Sequence, residues 1–283
     1  ILPVCALRVI GPASLVNGGY ARRGGGVDLL ITNDDGIDAA GLGALERAMA
    51  ALGTTWTVAP QVEQSSKGHG FSLHHPVRVE ARGERRWAVT GTPADCAYVA
   101  LHGVLPRKPV LAVSGINHGS NLGTDVFYSG TVAAAMEAVF QGVPAIAVSL
   151  HRHGSAPFAH FDTAGAVAAR VARHVLAHGL PRNVVLNINV PDVPLEELRG
   201  VRAAAQGWRH YEPSVDERTD PRGKAYYWLG GAHAGFEPVD GTDGPVIEQG
   251  FATVTPLHTD MTRHDVLADL AAWVDQDGTE AGS

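Results

Sequence analysis

Cysteine is almost missing from this chain. Cys5 and Cys96 are the only two in 283 residues, far apart and outside any CxxC. That speaks against a disulfide framework or a zinc ribbon and fits a reducing, cytoplasmic setting. No block of Lys and Arg stands out, and the formal net charge is −7, so no nucleic acid polymer is expected as a partner. No apolar run reaches the ~20 residues of a membrane span, so no membrane partner is expected. The fourteen histidines are scattered, without HExxH or a Cys/His cluster. A small phosphorylated substrate stays open, because a bound cation can supply positive charge locally.

What is present starts at Val27. Residues 1–26 lack an initiator Met and are weakly apolar, Gly-rich and interrupted by Arg8, Arg22 and Arg23. A secretory signal would need an unbroken apolar stretch after a basic start. The segment reads as a leader or extension without a fold of its own. The 45% hydrophobic content supports one large core over residues 27–283.

Apolar runs alternate with helical periods along that core. Val27 to Thr32, Thr54 to Ala59, Val77 to Glu80, Arg86 to Thr90, Val110 to Val113, Ala145 to Leu150, Val184 to Val190 and Phe251 to Pro256 read as strands. Ala40 to Leu52, Pro93 to Val104, Thr131 to Gln141, Thr163 to His178 and Asp265 to Val274 read as helices. Continuous apolar strands separated by helices predict a mostly parallel sheet covered on both faces, a three-layer α/β/α arrangement. Val201 to Gly250 breaks the pattern. It is rich in Gly, Pro, Asp and aromatics without a helical period, and predicts extended arms or hairpins leaving the core.

In such sheets ligands sit beyond the carboxyl ends of the strands. Asp34 and Asp35 follow the first apolar run directly. Buried side by side they would repel unless a cation is present, and hard oxygen donors suit Mg²⁺ or Mn²⁺. Alone, the pair also reads as an Asp-Asp-Gly turn. Ser65 and Asn117 are neutral oxygen donors on two further strand-end loops, and each alone reads as a cap or loop residue. Ser129, Gly130 and Thr131 open a helix after a Gly-rich loop, and exposed N–H groups at such a terminus attract anions. Asp260 and His264 bracket the start of the last helix, and a His with a carboxylate is an acid/base unit. By spacing alone they read as surface residues.

The strings ITNDDGIDAAGLGAL, VAPQVEQSSKGHGFSL, VTGTPADCAYVAL, VSGINHGSNLGTDVFYSGTVAAAMEA and VTPLHTDMT resemble the SurE (survival protein E) family of nucleotidases, as does DPRGKAYYWLGG in the arm region. The resemblance covers about Val27 to Val274. It implies a Rossmann-like α/β fold with projecting C-terminal hairpin arms and a dimer or tetramer that exchanges C-terminal elements. It implies one divalent metal on Asp34, Asp35, Ser65 and Asn117. The phosphate would sit against the loop from Gly119 to Thr131, with Asn121, Ser129, Gly130 and Thr131 in contact. Asp34, Asp260 and His264 would be the catalytic groups. The implied activity is hydrolysis of nucleoside 5′- and 3′-monophosphates, and of short polyphosphate in some members. Ser66 and Lys67 depart from the small residue that often follows the serine in the family. Two other readings of the same residues are a metal-dependent nucleotide-sugar transferase and a nucleotide sensor without turnover.

Overall fold

A computed structural model describes residues 15, 16, 26–152, 154 and 157–277. In chain order the elements are β1 (Leu15–Val16), β2 (Asp28–Thr32), α1 (Ala40–Ala50), β3 (Thr54–Pro60), β4 (Val79–Gly83), β5 (Arg86–Val89), α2 (Pro93–Val99), β6 (Leu111–His118), α3 (Gly130–Phe140), β7 (Ala145–His151), α4 (Phe161–His178), β8 (Leu180–Pro181), β9 (Val184–Pro191), β10 (Val201–Ala203), β11 (Arg209–Thr219), β12 (Ala225–Phe236), α5 (Asp243–Glu248), β13 (Ala252–His258) and α6 (Leu267–Asp277). Apart from Gly26 and the short β1–β8 ladder, the leader expectation lies outside the described residues.

Nine strands form the main sheet in the order β10-β13-β9-β7-β6-β2-β3-β5-β4. The pairs from β9 through β5 are parallel, while β13 against β9 and β4 against β5 are antiparallel. This is the expected mostly parallel α/β sheet.

Side-chain alternation along β2 splits the core in two. Leu29 and Ile31 join Leu42, Leu45 and Met49 of α1 and Ala164 and Ala168 of α4. Leu30 points the other way, to Val132 and Ala135 of α3 and Cys96 of α2. The helices start where local chemistry says they should. Thr92 and Asp95 form a capping box ahead of Pro93, and the Ser129 hydroxyl accepts the Val132 N–H.

Two expectations need correction. The strand expected over Val110 to Val113 does not stop there, and β6 runs on through Asn117, expected on a loop, to His118. Gly115 and Asn117 are turn-forming residue types, but fully buried Ile116 holds the segment in the sheet, and the β6–β7 register shifts between Ser114 and Asn117 to fit it. The projecting arm is also shorter than 201–250. It is the antiparallel hairpin β11–β12. β10 belongs to the main sheet, and α5 buries Val246 and Ile247, a pair too short to show a helical period in the sequence.

Leu45 is fully buried between α1 and the sheet. Leu45→Ala should lower stability by about 2–5 kcal/mol, the usual cost of such a cavity. Urea unfolding checks this, and a loss below about 1 kcal/mol would mean that the α1 layer is not packed as described.

Candidate functional site

The chain leaves β2, builds β3 and β5 on one side, and returns to place β6 on the other. The ends of β2 and β6 therefore meet at the point where the strand order reverses, and a crevice opens there. Main-chain bonds fasten the loops around it. Ile37 N–H donates to Pro60 O at 2.8 Å and Gln64 N–H to Asp34 O at 2.8 Å, while Asn33 Nδ2 donates to Gly36 O at 2.9 Å.

Asp34 is 5% exposed. Its carboxylate accepts the hydroxyl of Thr131, which is itself fully buried at the start of α3. Only glycine fits at position 130. A Cβ there would lie 2.8 Å from Asp34 Cβ and 2.9 Å from Pro93 Cγ. Burial pushes the Asp34 carboxyl up to about 6, with the Thr131 hydrogen bond opposing and the Asp35 charge reinforcing the rise. Burial does the same to Asp35, again to about 6, against the His118 N–H that donates to it at 3.2 Å. No ion pair from a described Lys or Arg reaches either carboxylate, and His118 Nδ1 stands 3.7 Å from Asp35 Oδ1. Burial holds the His118 ring below its ordinary range.

Asp34, Ser65, Asn117, Asn121 and Ser129 line one cleft of about 780 Å³. Asp35 opens into an adjoining pocket that shares Ser65 and His118 with it. Asn117 Nδ2 donates to Gly119 O at 2.8 Å, which leaves the side-chain oxygen as its donor atom for a cation. Ser65 Oγ is bonded to Glu63 Oε1 at 2.6 Å. Among the described residues no three His, Cys, Asp or Glu side chains converge on one point. The donor set is two carboxylates with neutral oxygens, hard chemistry that fits Mg²⁺ or Mn²⁺ rather than zinc.

Three residues expected to touch substrate are placed differently, the first being Gly130, which packs against Asp34 and Pro93 and does not line the cleft. Thr131 is turned onto Asp34 and does not line the cleft. Asn121 lines it but is a strut. Its Nδ2 donates to Ser149 Oγ at 2.7 Å, its N–H donates to Asn189 Oδ1 at 2.8 Å, and its carbonyl accepts from Asn187 and Asn189. Ser129 lines the cleft and keeps a hydroxyl proton to donate, since its oxygen only accepts from Val132.

The residues that sequence reasoning missed form the opposite wall. Trp208, Arg209 and Tyr211 enter the cleft from the base of the hairpin. Asp125 receives Arg209 Nη1 at 2.5 Å and the Tyr211 hydroxyl at 2.8 Å. Burial first, then the Asp125 hydrogen bond, pushes the Tyr211 phenol up to about 12. Buried Asp243 clamps the same junction, accepting the N–H groups of Gly123 at 2.8 Å and Gly207 at 2.9 Å. The only signal was the Trp-Arg-His-Tyr cluster at positions 208–211, read as part of an arm.

Asp260 and His264 pair with each other, Nε2 to Oδ2 at 2.7 Å. The Thr262 hydroxyl and N–H, then His264, hold the Asp260 carboxyl well below its usual range. Neither residue lines the Asp34 cleft. Their neighbours His258, Thr259 and Met261 line an apolar cavity of about 490 Å³ that shares Phe127 and Ser129 with it.

Known proteins resemble the chain along most of its length. The model of the family described as Survival protein SurE matches residues 29–213. The "5'-nucleotidase SurE" of Geotalea daltonii is 47% identical over 245 residues, 87% of this chain and 98% of the relative. That of Pelobacter propionicus is 47% identical over 249 residues, 87% and 99% of the two chains. A crystal structure of the SurE protein from Aquifex aeolicus superposes with a TM-score of 0.76 at 35% identity, covering 87% of this chain and 99% of that one. With matches of this extent and identity, the chain belongs to the SurE family.

Proposed function

We propose that this protein is a phosphomonoesterase that uses one divalent cation, Mg²⁺ or Mn²⁺, to hydrolyse nucleoside 5′- and 3′-monophosphates, with short polyphosphate as a further substrate. The observation that carries the reading is the pair Asp34 and Asp35, adjacent and largely buried at a strand end, with no Lys or Arg partner among the described residues. The names of the relatives support the substrate class.

In this reading Asp34, Asp35, the Ser65 hydroxyl and the Asn117 side-chain oxygen hold the cation. A bound divalent ion polarises a phosphoryl oxygen and lowers the pKa of a water. The protein's own groups do the rest. Thr131 fixes the Asp34 carboxylate, and the Asn121 struts hold the Gly119–Asn121 loop against the phosphate. Ser129 donates its hydroxyl to a phosphoryl oxygen, and Gly130 lets the α3 terminus come close enough. His264, oriented by Asp260, protonates the leaving ribose oxygen. Its neighbours His258, Thr259 and Met261 line the apolar cavity that meets the cleft at Phe127 and Ser129. The exposed aromatics of the hairpin, Tyr226, Tyr227 and Trp228, are covered in a homodimer or homotetramer. The setting is the cytoplasm.

Asp35→Asn should abolish Mn²⁺-dependent release of phosphate from AMP and leave the fold intact. Undiminished activity of that variant in EDTA would sink the cation site. The same variant tests the electrostatics. A carboxyl whose pKa rises from 3.8 to about 6 on folding favours the native state at low pH. That contribution is full below pH 3.8 and is lost as the pH climbs through about 6. Metal-free D35N should therefore melt above metal-free wild type at pH 8, with the gap closing toward pH 4. An equal gap at both pH values would show that Asp35 carries no such shift.

For His264→Ala we expect kcat on AMP to fall by about 10²–10⁴, the usual contribution of general acid help. The loss should be smaller on p-nitrophenyl phosphate, whose leaving group needs little protonation. An unchanged kcat on AMP removes His264 from the reaction.

Light scattering at micromolar concentration should give a dimer or tetramer. Replacing Trp228 and Leu229 with Ser should shift the population to smaller species, and a well-folded wild-type monomer would overturn the assembly.

A further inference from the structure

The loop that carries Ser65 has no helix or strand from residue 61 to 78. Ser66 sits in the left-handed region at φ 60°, a conformation that costs a non-glycine residue about 1–3 kcal/mol and persists only where its surroundings hold it. Main-chain bonds fasten the loop on either side. Gln64 N–H donates to Asp34 O, and Gly68 N–H donates to Tyr128 O at 3.1 Å. Gly68 has φ 53°, and a Cβ there would press on Phe127 O at 3.2 Å. The loop thus lies directly on the turn that leads into α3.

One side chain, His69, ties the two together. His69 Nε2 stands 3.0 Å from Glu137 Oε2, and the Glu137 side chain is 8% exposed. Gln141 Nε2 donates to the other carboxylate oxygen at 2.8 Å. The His69 ring stacks on Phe140 with centroids 5.4 Å apart and planes 16° from parallel, so its orientation is fixed. His69 and Gln141 together hold the Glu137 carboxyl below its ordinary range despite burial. A nearly buried carboxylate on a helix of Ala and Val is costly unless it is bonded. Neither His69 nor Glu137 lines the Asp34 cleft, and the proposed hydrolysis uses neither.

We propose that His69 is a positioning residue. Its bond to buried Glu137 latches the Ser65 loop onto α3 and so sets the Ser65 hydroxyl at the cation end of the cleft. The Ser65 loop and the Ser129 side of the cleft are then referred to one helix, since α3 carries Ser129 at its cap and Thr131 against Asp34. The latch rests on the reading of Asp34, Asp35, Ser65 and Asn117 as a cation site.

Titration calorimetry with Mn²⁺ alone, on the full chain, tests it in wild type, H69A, H69Q, S65A, the H69A/S65A double variant and D35N. H69A should bind Mn²⁺ about 10-fold more weakly, the lower end of what losing a supporting hydrogen bond behind a ligand costs. H69Q, whose amide can still donate to Glu137, should recover most of that loss. The double variant should bind as S65A does, because His69 acts through Ser65. At saturating Mn²⁺, kcat of H69A on AMP should stay within about threefold of wild type. If D35N loses Mn²⁺ while H69A binds it like wild type, the latch is wrong and the cation site stands. A double variant weaker than S65A also overturns the latch, because His69 would then act by another route. Should H69A fail to fold, H69F decides, since it keeps a ring against Phe140 but loses the donor to Glu137: Mn²⁺ binding about 10-fold weaker supports the hydrogen bond as the active feature, and wild-type affinity refutes it. If D35N binds Mn²⁺ like wild type, the cation reading fails and the latch fails with it.

Discussion

Two like charges held side by side after a buried strand dominate this structure. Asp34 and Asp35 have lost most of their water, and each still gains only partial compensation from the protein. The Thr131 hydroxyl and the His118 N–H favour ionisation. Burial disfavours it and wins, so both groups sit near 6 rather than near 4. A fold bent on its own stability would have placed a guanidinium here, as Asp125 has from Arg209. The shortfall in positive charge is the site's chemical character, and the surrounding loops are fastened to preserve it.

The cleft is also a junction. Its floor comes from the ends of β2 and β6, and its far wall comes from the root of the hairpin. Asp125 and Asp243 join the two, one through a side-chain cation and a phenol, the other through main-chain N–H groups. Asp243 is fully buried yet satisfied by three such donors. Whatever moves the hairpin root therefore moves Trp208, Arg209 and Tyr211 at the mouth of the cleft.

Most of the frame was legible because it rests on local patterns. Leu29, Leu30 and Ile31 announce a strand buried on both faces, and the Asn-Asp-Asp step after Thr32 marks where it ends at the cleft. Ser65, Asn117 and Ser129 line the cleft as expected because donors at strand ends and a helix start obey local rules. What escaped depends on distant pairing. Nothing near Thr131 says that its hydroxyl belongs to Asp34, and nothing near Asn121 says that it will be locked by Ser149 and Asn189. Arg209 looked like part of an arm because its partner Asp125 lies far back in the chain. The strand through Ser114 to His118 was hidden by residues that usually turn the chain.

The spread of the cleft along the chain has a kinetic meaning. Residues 34, 65, 117, 129, 208, 209 and 211 meet in one crevice, so no short fragment of the polypeptide contains it. Parallel pairing between distant strands requires long loops to close before their contacts form, which slows folding relative to locally wired proteins. During synthesis the first two-thirds of the chain can assemble β2, β3 and β6 and expose the acidic pair with no wall opposite. The pocket becomes complete only when the hairpin root docks on Asp125 and Asp243. The complete cleft is thus among the last features this molecule acquires as it leaves the ribosome.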